Sequence, residues 1–103
     1  MKVYNKLVRD KIPAIMSEEE KKFVIHIASK EEYVEKLKEK LLEEVNEFLE
    51  EPCLEELADI FEVLSALVHD MGYPQEDLIK CMEEKADSHG TFDSRIILES
   101  VED

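Results

Sequence analysis

Between Ser29 and Asp87 the chain is punctuated at only two places, Pro52 and the Gly72-Tyr73-Pro74 turn, and the three stretches so defined carry apolar residues at helical spacing. The first opens on Ser29-Lys-Glu-Glu, which resembles a capping box, and runs to Glu51. The second runs from about Leu54 to Met71, with Gly72 suited to its C-terminal cap, and the third starts at Pro74 and reaches about Asp87. The short connections favour antiparallel neighbours. Upstream, residues 5–17 suit a short helix whose Pro13 sits in a first turn or at a break. FVIHIAS (Phe23–Ser29) is β-branched and nearly alternating, so it reads as a short strand, and RIILESV (Arg95–Val101) reads as a second strand or an ordered tail. The expected fold is mostly α: one domain over residues 1–103, a compact antiparallel bundle of three main helices plus a short N-terminal helix. A minor strand pair from residues near 23–28 and 93–98 accompanies it.

Net charge narrows the partners. The formal charge is −14, which argues against a polynucleotide held by phosphate contacts. A small phosphorylated ligand is still open, because Mg²⁺ mediates such contacts. Residues 1–16 carry Lys2, Lys6, Arg9 and Lys11 against Asp10, a net of +3, so a basic segment precedes a body of −17. The start has no apolar signal-like region and no apolar run approaches a membrane span. Cys53 and Cys81 have no zinc or CxxC spacing. The expected setting is the reducing cytoplasm.

Eight acids lie in the seventeen positions from Glu43 to Asp59, and helical phase sorts them. At about 100° per residue, Val34, Leu37, Leu41, Val45 and Phe48 form a stripe about 80° wide. Glu44 lies about 20° outside it and Glu47 about 60° further round on the same side, whereas Glu43, Asn46 and Glu50 point largely away. On the next helix the apolar residues from Leu54 to Met71 spread over about 180°, more than a helix packed on one side needs. This implies several neighbours, among them a second subunit. Glu56 falls inside that arc and Asp59 at its edge, while Glu55 and Glu62 face outward. A carboxylate within an apolar face needs a partner. Basic residues are scarce here, and a divalent cation would satisfy several acids at once. Solvated acidic helix faces produce the same ExxE and ExxD spacings. No Glu-x-x-His occurs, which disfavours a di-iron bundle.

Glu43-Glu44-x-x-Glu47 followed by Glu56-x-x-Asp59 resembles the metal-binding signature of the MazG-like all-α nucleoside triphosphate pyrophosphohydrolases. YNKLVRDKIP at the start and EELADIFEVLSAL are similar to one subgroup of that superfamily, the phosphoribosyl-ATP pyrophosphohydrolase-like proteins. The resemblance covers nearly the whole chain. It implies a helical subunit that forms homodimers or higher oligomers. It also implies Mg²⁺-dependent (or Mn²⁺-dependent) hydrolysis of a nucleotide between its α and β phosphates. Carried over position by position, Glu44, Glu47, Glu56 and Asp59 are the metal ligands, and Glu43 is the nearest unassigned group to orient or deprotonate the attacking water. Two departures stand out. The connection Phe48–Glu55 is short, and Lys85-Ala-Asp-Ser-His89-Gly90-Thr91-Phe92 has His89 and Thr91 where the subgroup has an arginine and a second glycine.

Lys6 and Arg9 are candidates for phosphate capture or, equally, for docking the N-terminus on the acidic body. Lys85 is a candidate phosphate contact. Lys40 suits an i,i+4 pair with Glu44. His26 reads as structural, and His69 as a group that meets C-terminal carbonyls. Two other functional classes are consistent with the same residues. One is a non-catalytic module that self-associates or binds a protein through residues 54–71. The other is a nucleotide or metal sensor that keeps the acidic site without turnover.

Overall fold

A computed structural model describes residues 2–102. Four helices follow one another: α1 (Ile12–Glu18), α2 (Lys30–Glu50), α3 (Leu54–Asp70) and α4 (Gln75–His89). Their ends are set by local chemistry. Pro13 occupies the first turn of α1, where its missing N–H costs nothing, so the helix begins later than residue 5. Ser29 caps α2 by accepting a hydrogen bond from the Glu32 amide at 3.2 Å. α3 ends in a Schellman motif: the Gly72 amide donates to the His69 carbonyl and the Tyr73 amide to that of Val68, with Gly72 at φ +88°. The same motif ends α1, but there Glu20 takes the left-handed position at φ +58°, a conformation that L-residues adopt at a cost.

α2 packs antiparallel on α3 across a three-residue connection, and α4 packs on α3 alone. Leu37 of α2 and Val63 of α3 are the buried apolar side chains among the described residues, Leu37 fully so, and the core is the α2–α3 seam. Both belong to the apolar faces expected from the sequence. The wide arc of α3 is only partly covered: Leu57 and Phe61 are exposed, whereas Ile60, Leu64 and Leu67 are half-buried.

No strand forms among the described residues, which corrects the expected strand pair at 23–28 and 93–98. Propensity marks a segment that fits a pleated surface, but a strand exists only when its backbone groups find a partner. Neither segment finds one among the described residues. The chain measures 60 × 32 × 27 Å with a radius of gyration of 18.4 Å, against about 13 Å for a compact domain of this length. No described helix is long and apolar enough to cross a membrane.

Candidate metal centre

The antiparallel α2–α3 pairing brings Glu44 and Glu47 opposite Glu56 and Asp59. Two groups of carboxylates result, Glu43–Glu44–Glu47 and Glu44–Glu56–Asp59, each with ligand oxygens within 4.8 Å of one another. Glu44 belongs to both. Oxygens on one Mg²⁺ ion at about 2.1 Å are about 3.0 Å apart when cis and about 4.2 Å when trans, so each group must draw together before its oxygens share an ion.

Burial distinguishes this cluster from a solvated acidic face. Glu44 is 5% exposed. Lys40 lies 3.2 Å from its Oε1, the i,i+4 pair expected, but its Oε2 is buried without a hydrogen-bond partner. The Oε2 of Glu56 is likewise buried and unpartnered. Orphaned buried acceptors are rare in folded proteins, and a cation or a proton would satisfy these two. An all-carboxylate donor set suits a hard ion such as Mg²⁺ or Mn²⁺. Burial pushes the Glu44 carboxyl above the ordinary carboxylate value; Lys40 offsets part of this and Glu47 adds to it. Burial raises Glu56 as well. Neighbouring Glu47 offsets part of that rise, and the charges of Glu44 and Asp59 reinforce it.

The basic N-terminal segment lies over this cluster. Lys6 Nζ donates to Glu43 Oε1 at 2.8 Å, and Arg9 Nη2 to Asp59 Oδ1 at 2.8 Å. Lys36 Nζ fixes the strap by donating to the Asn5 carbonyl at 2.8 Å. Lys40 also reaches Glu43 at 3.4 Å. Glu43 therefore does not point away, as helical phase suggested. Lys6, 37 positions earlier, covers that flank and with Lys40 holds the Glu43 carboxyl below its ordinary value. Phase reports only the helix's own geometry and is silent about what lies against it.

Seven of the eight residues singled out by sequence thus converge: Lys6, Arg9, Glu43, Glu44, Glu47, Glu56 and Asp59. Lys85 does not join them by any contact; it makes no ion pair among the described residues, and its helix packs on α3 alone. His89 contacts Ser88 Oγ at 2.6 Å, and His26 contacts both oxygens of Glu32 at the start of α2. Lys36 is the member of the surroundings that sequence did not single out; it acts through a backbone carbonyl that no side-chain pattern reveals. No protein-family model, curated protein or solved structure matches the chain.

Proposed function

We propose that the chain is a Mg²⁺- or Mn²⁺-dependent nucleotide pyrophosphohydrolase, cleaving a nucleoside triphosphate or a phosphoribosyl-ATP-like nucleotide between its α and β phosphates to give a monophosphate and pyrophosphate. The observation that carries the reading is the pair of unpartnered buried oxygens on Glu44 and Glu56, set within a cluster of carboxylates that basic side chains border. The motif resemblance and the basic strap support the choice of a phosphorylated substrate.

Glu44, Glu47, Glu56 and Asp59 would hold the cation, with Glu44 central because it belongs to both groups. When bound, such an ion lowers the pKa of its water and neutralises charge on the phosphates. Arg9 is more than half exposed even while it touches Asp59, so its remaining N–H donors face solvent where a phosphate would sit. Lys6 offers a second cation on the Glu43 side. Glu43, held ionised by Lys6 and Lys40, is suited to accept a hydrogen bond from the attacking water and orient it. The same reading takes the chain as a cytoplasmic homo-oligomer whose exposed α3 face is covered by another copy.

A second reading has its own observation. Between α3 and α4 lies an open apolar groove of about 510 Å³ lined by Phe61, Leu78, Ile79 and Met82, as a non-catalytic binding module would have. The two readings part in a pyrophosphate-release assay over a panel of nucleoside triphosphates plus phosphoribosyl-ATP, in each metal. Release with at least one substrate, abolished by chelation, supports the enzyme. No release with any of them in either metal leaves the binding module, or a sensor that keeps the site without turnover.

A further inference from the structure

Two segments of the chain have strand chemistry and no partner. Residues 22–28 and 96–101 run without a turn or bend, and among the described residues their backbone N–H and C=O groups make no hydrogen bond to other backbone groups. Most of their side chains stand in solvent, Val24 89% exposed and Ile97 81%, while Phe23 and Ala28 are half-buried. An unpaired row of backbone donors and acceptors flanked by β-branched residues is a template for another strand.

The fold keeps the two apart within one chain. Residues 22–28 lead into the Ser29 cap, at the start of α2. α4 returns along α3, since Gln75 donates to the Ser65 carbonyl and Met82 faces the same groove as Ala58 and Phe61. The tail after Gly90 therefore leaves from the α2–α3 connection, at the opposite end of a helix about 31 Å long. An antiparallel copy related by a two-fold axis exchanges these ends and brings each segment against its complement, twice, by symmetry.

Surface area identifies the partner as a large one. The chain exposes 9633 Å², where a compact monomer of its mass exposes about 6,000 Å². For two chains the surplus is about 7,200 Å², more than the roughly 2,000–5,000 Å² total that obligate homodimers commonly bury, so an interface of that class fits within it. Charge sets the register. Among the described residues Lys22 and Glu99 make no ion pair, and placing them opposite each other aligns Phe23 with Leu98, Val24 with Ile97 and Ile25 with Ile96.

We propose that two copies form an antiparallel two-fold dimer in which residues 22–25 of each pair as antiparallel strands with residues 96–99 of the other. This rests on the self-association proposed above and is independent of the hydrolytic reading.

The test uses the full chain with the exposed Cys53 and Cys81 replaced by serine, carrying Val24→Cys and Ile97→Cys together. Directly opposed residues lie within disulfide reach. After mild oxidation, most chains should run as a covalent dimer on a non-reducing denaturing gel. Each single variant, and the out-of-register pair Ile27→Cys with Ile97→Cys, should give about tenfold less. A link within one chain, equal linking by a single variant, or no link overturns the pairing. Sedimentation of the unaltered protein separates the causes: a monomer overturns self-association, and a dimer without the specific link overturns the strand pairing alone. Ile97→Asp, at an exposed position, should raise the dimer Kd about tenfold or more while circular dichroism shows intact helices. An unchanged Kd with intact helices counts equally against the proposal.

Discussion

Replacing Glu44 by glutamine keeps the volume of a side chain that is 5% exposed and removes its charge. Glu44 Oε2 has no partner, and a buried unsatisfied polar group costs about 1–3 kcal/mol, more when charged. Lys40 loses one contact at 3.2 Å but retains Glu43 at 3.4 Å, so the substitution orphans no cation. The metal-free variant should therefore be more stable by about 2 kcal/mol, which for a chain of this length is a rise in Tm of about 9 °C. A divalent ion at 100 times its Kd stabilises the unaltered protein by about 2.7 kcal/mol, or about 12 °C. The variant, short of the ligand shared by both carboxylate groups, should gain little. Thermal melts followed by circular dichroism, in chelator and then in Mg²⁺ or Mn²⁺, should thus show an inversion. The variant melts higher without metal and the unaltered protein melts higher with it. A Glu44→Gln protein that melts lower in chelator, or that metal stabilises as much as the parent, would refute the reasoning.

Other consequences follow from the same geometry. Arg9→Met should raise KM for the nucleotide several-fold with a smaller change in metal affinity, measured by turnover and by calorimetry; an unchanged KM removes Arg9 from the phosphate site. Gly72→Ala meets no atom within 4 Å but forces a side chain to φ +88°, so chemical denaturation should show a loss of about 1 kcal/mol. Glu20→Gly, at φ +58°, should gain a similar amount. Stability should also depend on pH in two opposite senses. The raised carboxyls of Glu44 and Glu56 mean that the folded state binds their protons more tightly than the unfolded chain does, so the metal-free protein should gain stability as pH falls from about 7 toward 4.5. Glu43 is depressed, so its contribution is complete above 4.5 and is lost as pH falls below that value; Lys6→Met should blunt this acid loss.

The helices were legible because their ends are local. Ser29, Pro52, Gly72 and Pro74 each act within one turn of themselves, and each sits at a helix end in the structure. The α2–α3 carboxylates were legible for a related reason: helical phase puts Glu44 and Glu56 toward the apolar side, and a short connection makes the two helices antiparallel neighbours. What escaped the sequence is non-local. Glu43 joins the cluster under Lys6, which the chain brings from 37 positions away. The β-prone segments were read as strands and form none among the described residues, because their pairing depends on a partner that propensity does not supply. Lys85 looked like a site residue through its surrounding motif, but although α4 packs on the helix that carries Glu56 and Asp59, Lys85 makes no ion pair with either.

The central claim is that Glu44, Glu47, Glu56 and Asp59 hold a divalent cation. Titration of Mn²⁺ into the full chain, with free ion followed by its electron paramagnetic resonance signal, measures this without reference to any substrate. The account expects saturable binding that Mg²⁺ displaces, weakened at least about tenfold by Glu44→Gln and by Glu56→Gln and little changed by Glu55→Gln. A free-ion signal that rises in proportion to added Mn²⁺ from the first addition, or one that responds equally to Glu55→Gln and Glu56→Gln, would contradict it.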